Sequence, residues 1–143
     1  MAGDISRDYQ GRDLVMVGVL KGAFIFLADL VRELSFPVEI DFVRLSSYGS
    51  GTSPTGEVHI SKDVELSLKG RDVLIVEDIM DLGFTLGFLR QHLATHLPKS
   101  LKICCLIDKR DKRGRAGESF DFPSCSSWRD KPGHGEYDTR QTP

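Results

Sequence analysis

Asp72-Val73-Leu74-Ile75-Val76-Glu77-Asp78-Ile79-Met80-Asp81-Leu82-Gly83-Phe84-Thr85 is the stretch that decides the fold. Its aliphatic run is short and rich in β-branched residues, so it reads as a strand buried on both faces, Asp72 to Asp78. A Gly-bearing turn follows, and a helix from about Thr85 to His96 ends before Pro98. Leu101-Lys102-Ile103-Cys104-Cys105-Leu106-Ile107 is then another buried strand. Strand, helix and strand joined by short links predict right-handed crossovers and a mostly parallel sheet flanked by helices.

The same rhythm holds upstream. Asp13-Leu14-Val15-Met16-Val17-Gly18-Val19-Leu20 is a third buried strand, broken by Lys21-Gly22. Ala23 to Leu34 places Phe24, Leu27, Ala28, Val31 and Leu34 at helical spacing, and Pro37 closes the unit. Val38 to Leu45 alternates apolar and polar in part, as a half-exposed strand does. Ser46 to Gly56 is made of Ser, Thr, Gly, Pro and Tyr and reads as a long loop. Glu57 to Leu66 reads as a strand and Leu68 to Arg71 as a turn, whereas Met1 to Arg12 is polar and mixed and suggests no element. Residues 1–112 form the expected core domain. Residues 113–143 are polar and aperiodic and read as an incomplete or diverged C-terminal part.

A chain of 143 residues is about one domain and can bury a core without staples. The net charge of -2 argues against nucleic acid or an anionic membrane as a partner. No apolar run reaches the ~20 residues of a membrane span, and no secretory leader is evident. Of the three cysteines, Cys104 and Cys105 are strand neighbours facing opposite ways, so a bond between them is not expected. Buried free thiols fit a reducing, cytoplasmic setting.

Ligands of open α/β sheets bind beyond the carboxyl ends of the strands, where Glu77 and Asp78 stand. Gly83 lets backbone come close to a bound group, Thr85 offers a hydroxyl, and the following helix presents free N–H groups suited to phosphate. Carboxylates beside such a cup serve hydroxyls or a hard cation such as Mg²⁺. The same residues also fit a plain helix cap at Asp81 and Thr85 with two solvated acids.

This stretch resembles the phosphoribosyl-diphosphate-binding motif of type I phosphoribosyltransferases: aliphatics, two acids, two aliphatics, Asp, a small hydroxyl residue, Gly, any residue, Thr. Leu82 stands where that family has the hydroxyl residue. Three further segments resemble the hypoxanthine–guanine branch in order and spacing: Val17 to Ala23, Ser46-Ser47-Tyr48-Gly49, and Leu106-Ile107-Asp108-Lys109. The resemblance spans about Asp8 to Lys109. It implies joining of hypoxanthine or guanine to 5-phospho-α-D-ribose 1-diphosphate, giving IMP or GMP and diphosphate.

It also implies roles. Asp81 would be the general base on the purine ring nitrogen. Glu77 and Asp78 would hold ribose hydroxyls and the metal. Leu82, Gly83, Phe84 and Thr85 would line the 5′-phosphate cup, and Lys21 and Gly22 would meet diphosphate. Lys109 would read the purine 6-oxo group. Ser46, Ser47, Tyr48 and Gly49 would open a mobile loop that excludes water. Relatives of this kind commonly form dimers or tetramers. The family has a helical segment before its Asp-Tyr-x-Gly turn, and some of that N-terminal packing is expected to be missing, because Asp8-Tyr9-Gln10-Gly11 lies so early. Its closing aromatic and diphosphate arginine have only a faint echo in Trp128, Gly133 to Asp138 and Arg140. A binding regulator of the same fold without turnover, or an inactive fragment, are the competing readings.

Overall fold

Val15, Met16, Val17, Val73, Leu74, Ile75 and Val76 are all shielded from solvent, as expected of strands with protein on both faces. The computed structural model describes residues 1–48, 57–80 and 84–108. In chain order the elements are α1 (Ala2–Tyr9), β1 (Leu14–Leu20), α2 (Ala23–Arg32), β2 (Glu39–Tyr48), β3 (Glu57–Lys62), β4 (Asp72–Met80), α3 (Phe84–Ala94) and β5 (Ser100–Asp108). One sheet holds the strands in the order β3-β2-β1-β4-β5. β1 runs parallel to β2 and β4, β4 runs parallel to β5, and only β3 is antiparallel, against β2. This is the mostly parallel α/β sheet expected from the sequence. The chain leaves β1 towards one edge through α2 and leaves β4 towards the other through α3. Right-handed crossovers therefore put the two helices on opposite faces.

Four readings need correction. Ala2–Tyr9 is a helix where the polar, mixed lead suggests no element. Its large apolar residues are Ile5 and Tyr9, one helical turn apart and both fully buried. A pair so short gives little periodicity, and the helix is fixed by tertiary contact, including the Ser35 N–H donating to Ser6 Oγ at 3.1 Å. Second, β2 continues through Tyr48, because the stretch expected to be loop pairs with β3 as far as Tyr48↔Glu57. Third, β3 is shorter than expected and stops at Lys62. Fourth, α2 buries Ala23, Leu27 and Leu30, while Phe24 and Ala28 face outward. Gly18 on β1 sets that face. A Cβ there would lie 2.8 Å from Leu27 Cδ2 and 3.0 Å from the Phe42 ring, so the missing side chain is the gap that Leu27 fills.

Asp41 on β2 is a buried acid. Its carboxylate accepts the N–H groups of Phe42 (2.7 Å), Glu65 (2.7 Å) and Leu66 (2.8 Å), and Lys62 Nζ lies 3.7 Å away. Burial opposes the charge, but these donors and the ammonium outweigh it and hold Asp41 below the usual carboxylate range. The acid thus stitches the segment after β3 to β2. At the amino-terminal edge of the sheet, Arg71 bridges Asp13 and Glu39. Cys104 and Cys105 are both buried and unbonded to one another, as expected.

Asp41→Ala should strand those N–H groups and cost roughly 2–4 kcal/mol in urea unfolding at neutral pH. The folded-state pKa is depressed, so the contribution is present above the ordinary aspartate range and lost as pH falls through the folded value. The gap between wild type and variant should therefore narrow in acid.

Candidate active site

The carboxyl edge of the sheet is uneven. β1 stops at Leu20, in register with Arg44 of β2. On one side β2 and β3 stay paired out to Tyr48↔Glu57, and on the other β4 and β5 stay paired out to Met80↔Asp108. Two double-stranded projections thus flank a notch whose floor is the turn after β1. Strand order reverses between β1 and β4, and open α/β sheets bind ligands at such a crevice.

Lys21 and Gly22 form the floor, following a cis peptide bond between Leu20 and Lys21. Both are exposed. Gly22 packs against the β4 acids: a Cβ there would sit 2.6 Å and 2.8 Å from the two carboxylate oxygens of Asp78. Glycine at this position is what lets the turn and the acid share the space. The sequence places these residues more than fifty positions apart, and the β1–β4 pairing brings them into contact.

Glu77 and Asp78 stand on the projecting end of β4, where burial gives way to partial exposure. Asp78 N–H donates to Glu77 Oε1 at 3.0 Å, and Ile79 N–H donates to Asp78 Oδ1 at 2.8 Å. Partial burial, followed by the interaction with the neighbouring carboxyl of Asp78, pushes Glu77 up to about 8. Two acids this close repel one another when both are charged. Hard oxygen donors in that condition are a donor set that suits a divalent cation, so the residues fit magnesium.

α3 begins at Phe84, with Phe84 and Thr85 exposed at its amino end, beside the end of β4. Its first N–H groups have no helical partner by construction, which is the feature expected of a phosphate cup. The described residues therefore bring together Lys21, Gly22, Glu77 and Asp78 at the notch, with Phe84 and Thr85 opening the next helix. Ser46 lies at the end of β2 within the β2–β3 projection rather than in a loop, and the backbones of Ser47 and Tyr48 continue that strand. Asp81, Leu82, Gly83, Gly49 and Lys109 lie outside the described residues, as do Trp128 and the rest of 109–143.

The sequence reading overlooked an apolar ledge. Ile79 and Ile107 are register partners on the β4–β5 projection, and both are about half exposed, as is Leu106. Large aliphatics left open at a strand end beside acids are a surface for a flat apolar group. In the sequence they look like any other interior aliphatic.

The family described as phosphoribosyl transferase domain matches residues 1–131. The hypoxanthine-guanine phosphoribosyltransferase of Mycobacterium avium is 46% identical over 129 residues, covering 85% of this chain and 64% of that protein. The hypoxanthine phosphoribosyltransferase of Escherichia coli strain K12 is 52% identical over 103 residues, 72% of this chain and 58% of that protein. The chain thus spans about three fifths of the length of these two curated relatives. A crystal structure of the hypoxanthine phosphoribosyltransferase of Staphylococcus aureus superposes with a TM-score of 0.74 at 43% identity, covering 78% of this chain and 61% of that one.

The Glu77 shift predicts a pH-dependent stability. The folded state keeps the proton up to about 8 whereas the unfolded chain releases it in the ordinary glutamate range, so stability is lost as pH rises between the two. In metal-free buffer Glu77→Gln should raise Tm by roughly 3–5 °C at pH 8, equivalent to ~1 kcal/mol for a domain of this size. The gain should vanish near pH 4, as followed by circular dichroism melts.

Proposed function

The chain belongs to the phosphoribosyl transferase domain family, and we propose on that premise that it acts in purine salvage. The reaction joins hypoxanthine or guanine to 5-phospho-α-D-ribose 1-diphosphate and releases IMP or GMP with diphosphate. The observation that carries this reading is the contact of Gly22 with Asp78 at the reversal point of the sheet. It brings Lys21–Gly22 and Glu77–Asp78 together in one notch, which supports the roles in diphosphate and ribose binding that the resemblance implies. The names of the relatives support the same substrates.

In the proposed mechanism a ring nitrogen of the purine bonds to the anomeric carbon as the bond to diphosphate breaks. Asp81 takes the proton from that nitrogen as general base. Glu77 and Asp78 hold the ribose hydroxyls and fix the sugar. They are also the residues that would hold Mg²⁺, which when bound supplies positive charge for the departing diphosphate. Backbone N–H groups at the Lys21–Gly22 turn meet the same leaving group. Gly83, Phe84, Thr85 and the α3 amino end hold the 5′-phosphate, with Leu82 giving no hydroxyl there. A hydrogen bond to a charged group is worth ~1.5–3 kcal/mol, so Leu82→Thr should tighten phosphoribosyl diphosphate binding. The ledge of Ile79 and Ile107 supports the flat face of the base, and Lys109 donates to its 6-oxo group. Ser46, Ser47 and Tyr48 end the β2 strand beside the notch, and the segment they lead into from Gly49 would keep water from the cation-like sugar. We place the working protein in the cytoplasm as a dimer or tetramer. No helix among the described residues is long and apolar enough to cross a membrane.

Leu82 favours one second reading, a protein that binds phosphoribosyl diphosphate without turnover. An assay with hypoxanthine or guanine, phosphoribosyl diphosphate and Mg²⁺ separates the two. Nucleotide formation, with kcat about 10²–10⁴-fold lower in Asp81→Asn, supports catalysis. A silent wild type that melts higher with phosphoribosyl diphosphate transfers the case to binding alone. Gly22→Ala should crowd Asp78 and raise KM for phosphoribosyl diphosphate by about tenfold, a loss of ~1.4 kcal/mol.

A further inference from the structure

We propose that Asp63, His92 and His96 form a binding site for a divalent transition-metal ion of the zinc type. The site is separate from the notch. β3 runs antiparallel to β2, so Asp63, just past its end, lies towards the amino-terminal edge of the parallel strands. α3 runs back from the carboxyl edge, so its last turn reaches the same side.

His92 Nε2 lies 2.7 Å from Asp63 Oδ2, and His96 Nε2 lies 4.0 Å from the same oxygen. The donor atoms of all three residues fall within 4.8 Å of one another. Ligands at ~2.0–2.2 Å around a tetrahedral ion are ~3.4 Å apart, so small side-chain movements centre a metal among them. The two imidazoles are four residues apart, His92 in the last turn of α3 and His96 two residues past its end, and a continued turn of the chain puts them on one side. Their rings meet edge to face at 5.3 Å. The helical path persists past Ala94, since His96 N–H donates to the Leu93 carbonyl at 3.1 Å and buried Leu93 anchors the turn. Thr95 Oγ1 donates to the His92 carbonyl at 2.6 Å.

Asp63 is oriented as a one-oxygen ligand. Its Oδ1 accepts the Val64 N–H at 2.8 Å, which leaves Oδ2 turned to the histidines. All three side chains are partly exposed, which gives an ion a way in and leaves room for water as a further ligand. Two imidazoles and one carboxylate select zinc, cobalt or nickel over magnesium or calcium, which prefer oxygen alone. A bound ion would tie the exit of β3 to the end of α3, stabilising the fold without entering the chemistry at the notch. The bland alternative is a histidine–aspartate ion pair with no metal.

The test uses the full chain, stripped with chelator and titrated with Co²⁺ and then Zn²⁺. The expected result is one Co²⁺ per chain with visible absorption of a low-symmetry nitrogen–oxygen site. No sulfur-to-cobalt charge-transfer band should appear, Zn²⁺ should displace the signal, and Tm should rise with Zn²⁺. His96→Ala and Asp63→Asn should each weaken Co²⁺ binding by at least ~10-fold. Each should keep a cooperative melt in metal-free buffer, which separates lost ligation from lost fold. His59→Ala and His134→Ala should leave the spectrum intact. No saturable cobalt signal, a thiolate band, or equal binding by wild type, His96→Ala and Asp63→Asn would each overturn the proposal. These readouts do not depend on transferase activity.

Discussion

The parallel pairing of β1 with β4 is the constraint on which the rest of the molecule depends. Both strands are sealed on two faces, so their backbone groups must pair with each other, and their register is fixed as far as Gly18↔Val76. The chain then departs in opposite directions, and a crevice opens at their carboxyl ends. Gly22 and Asp78 touch only because that register holds. A slip of one residue would turn Asp78 to the other face of the sheet and take it away from the turn.

Glu77 and Asp78 are adjacent and half buried, and Glu77 answers by holding its proton well above the usual glutamate range. The local cost in stability is a common mark of a functional site: groups arranged for a polyhydroxylated or cationic ligand repel one another without it. Elsewhere the fold handles charge differently. Asp41 is buried too, yet it is surrounded by donors and stays ionised. The two acids show the same residue chemistry put to opposite ends by hydrogen bonding.

Much of the sheet was legible in the sequence. The runs around Leu14–Val19, Val73–Val76 and Ile103–Cys105 can only be interior strands, since nothing in them tolerates water. The helices between them follow from apolar spacing bounded by Gly and Pro. α1 was not legible because Ile5 and Tyr9 make too small a stripe, and the outward face of α2 was misread because Gly18, a distant residue, decides which side of the helix packs. The burial of Asp41 was not legible for a similar reason, as its donors come from residues 65 and 66 after an intervening strand. His92 and His96 carried a readable signal in their spacing, but their partner Asp63 is remote in the chain.

By itself, the sequence determined the alternation of the buried strands with α2 and α3, the acid-rich stretch from Val73 to Thr85 that resembles a phosphoribosyl-diphosphate-binding motif, and the chemistry those side chains can offer. Such features are local: burial, turn geometry and acid spacing act over a few neighbouring residues. Only the tertiary structure decided which distant groups meet, namely Gly22 with Asp78, Asp41 with the segment after β3, and Asp63 with His92 of α3 and His96 just past it. Contacts of this kind depend on strand order and register. Those are set by the packing of the whole sheet, which no short window of residues contains.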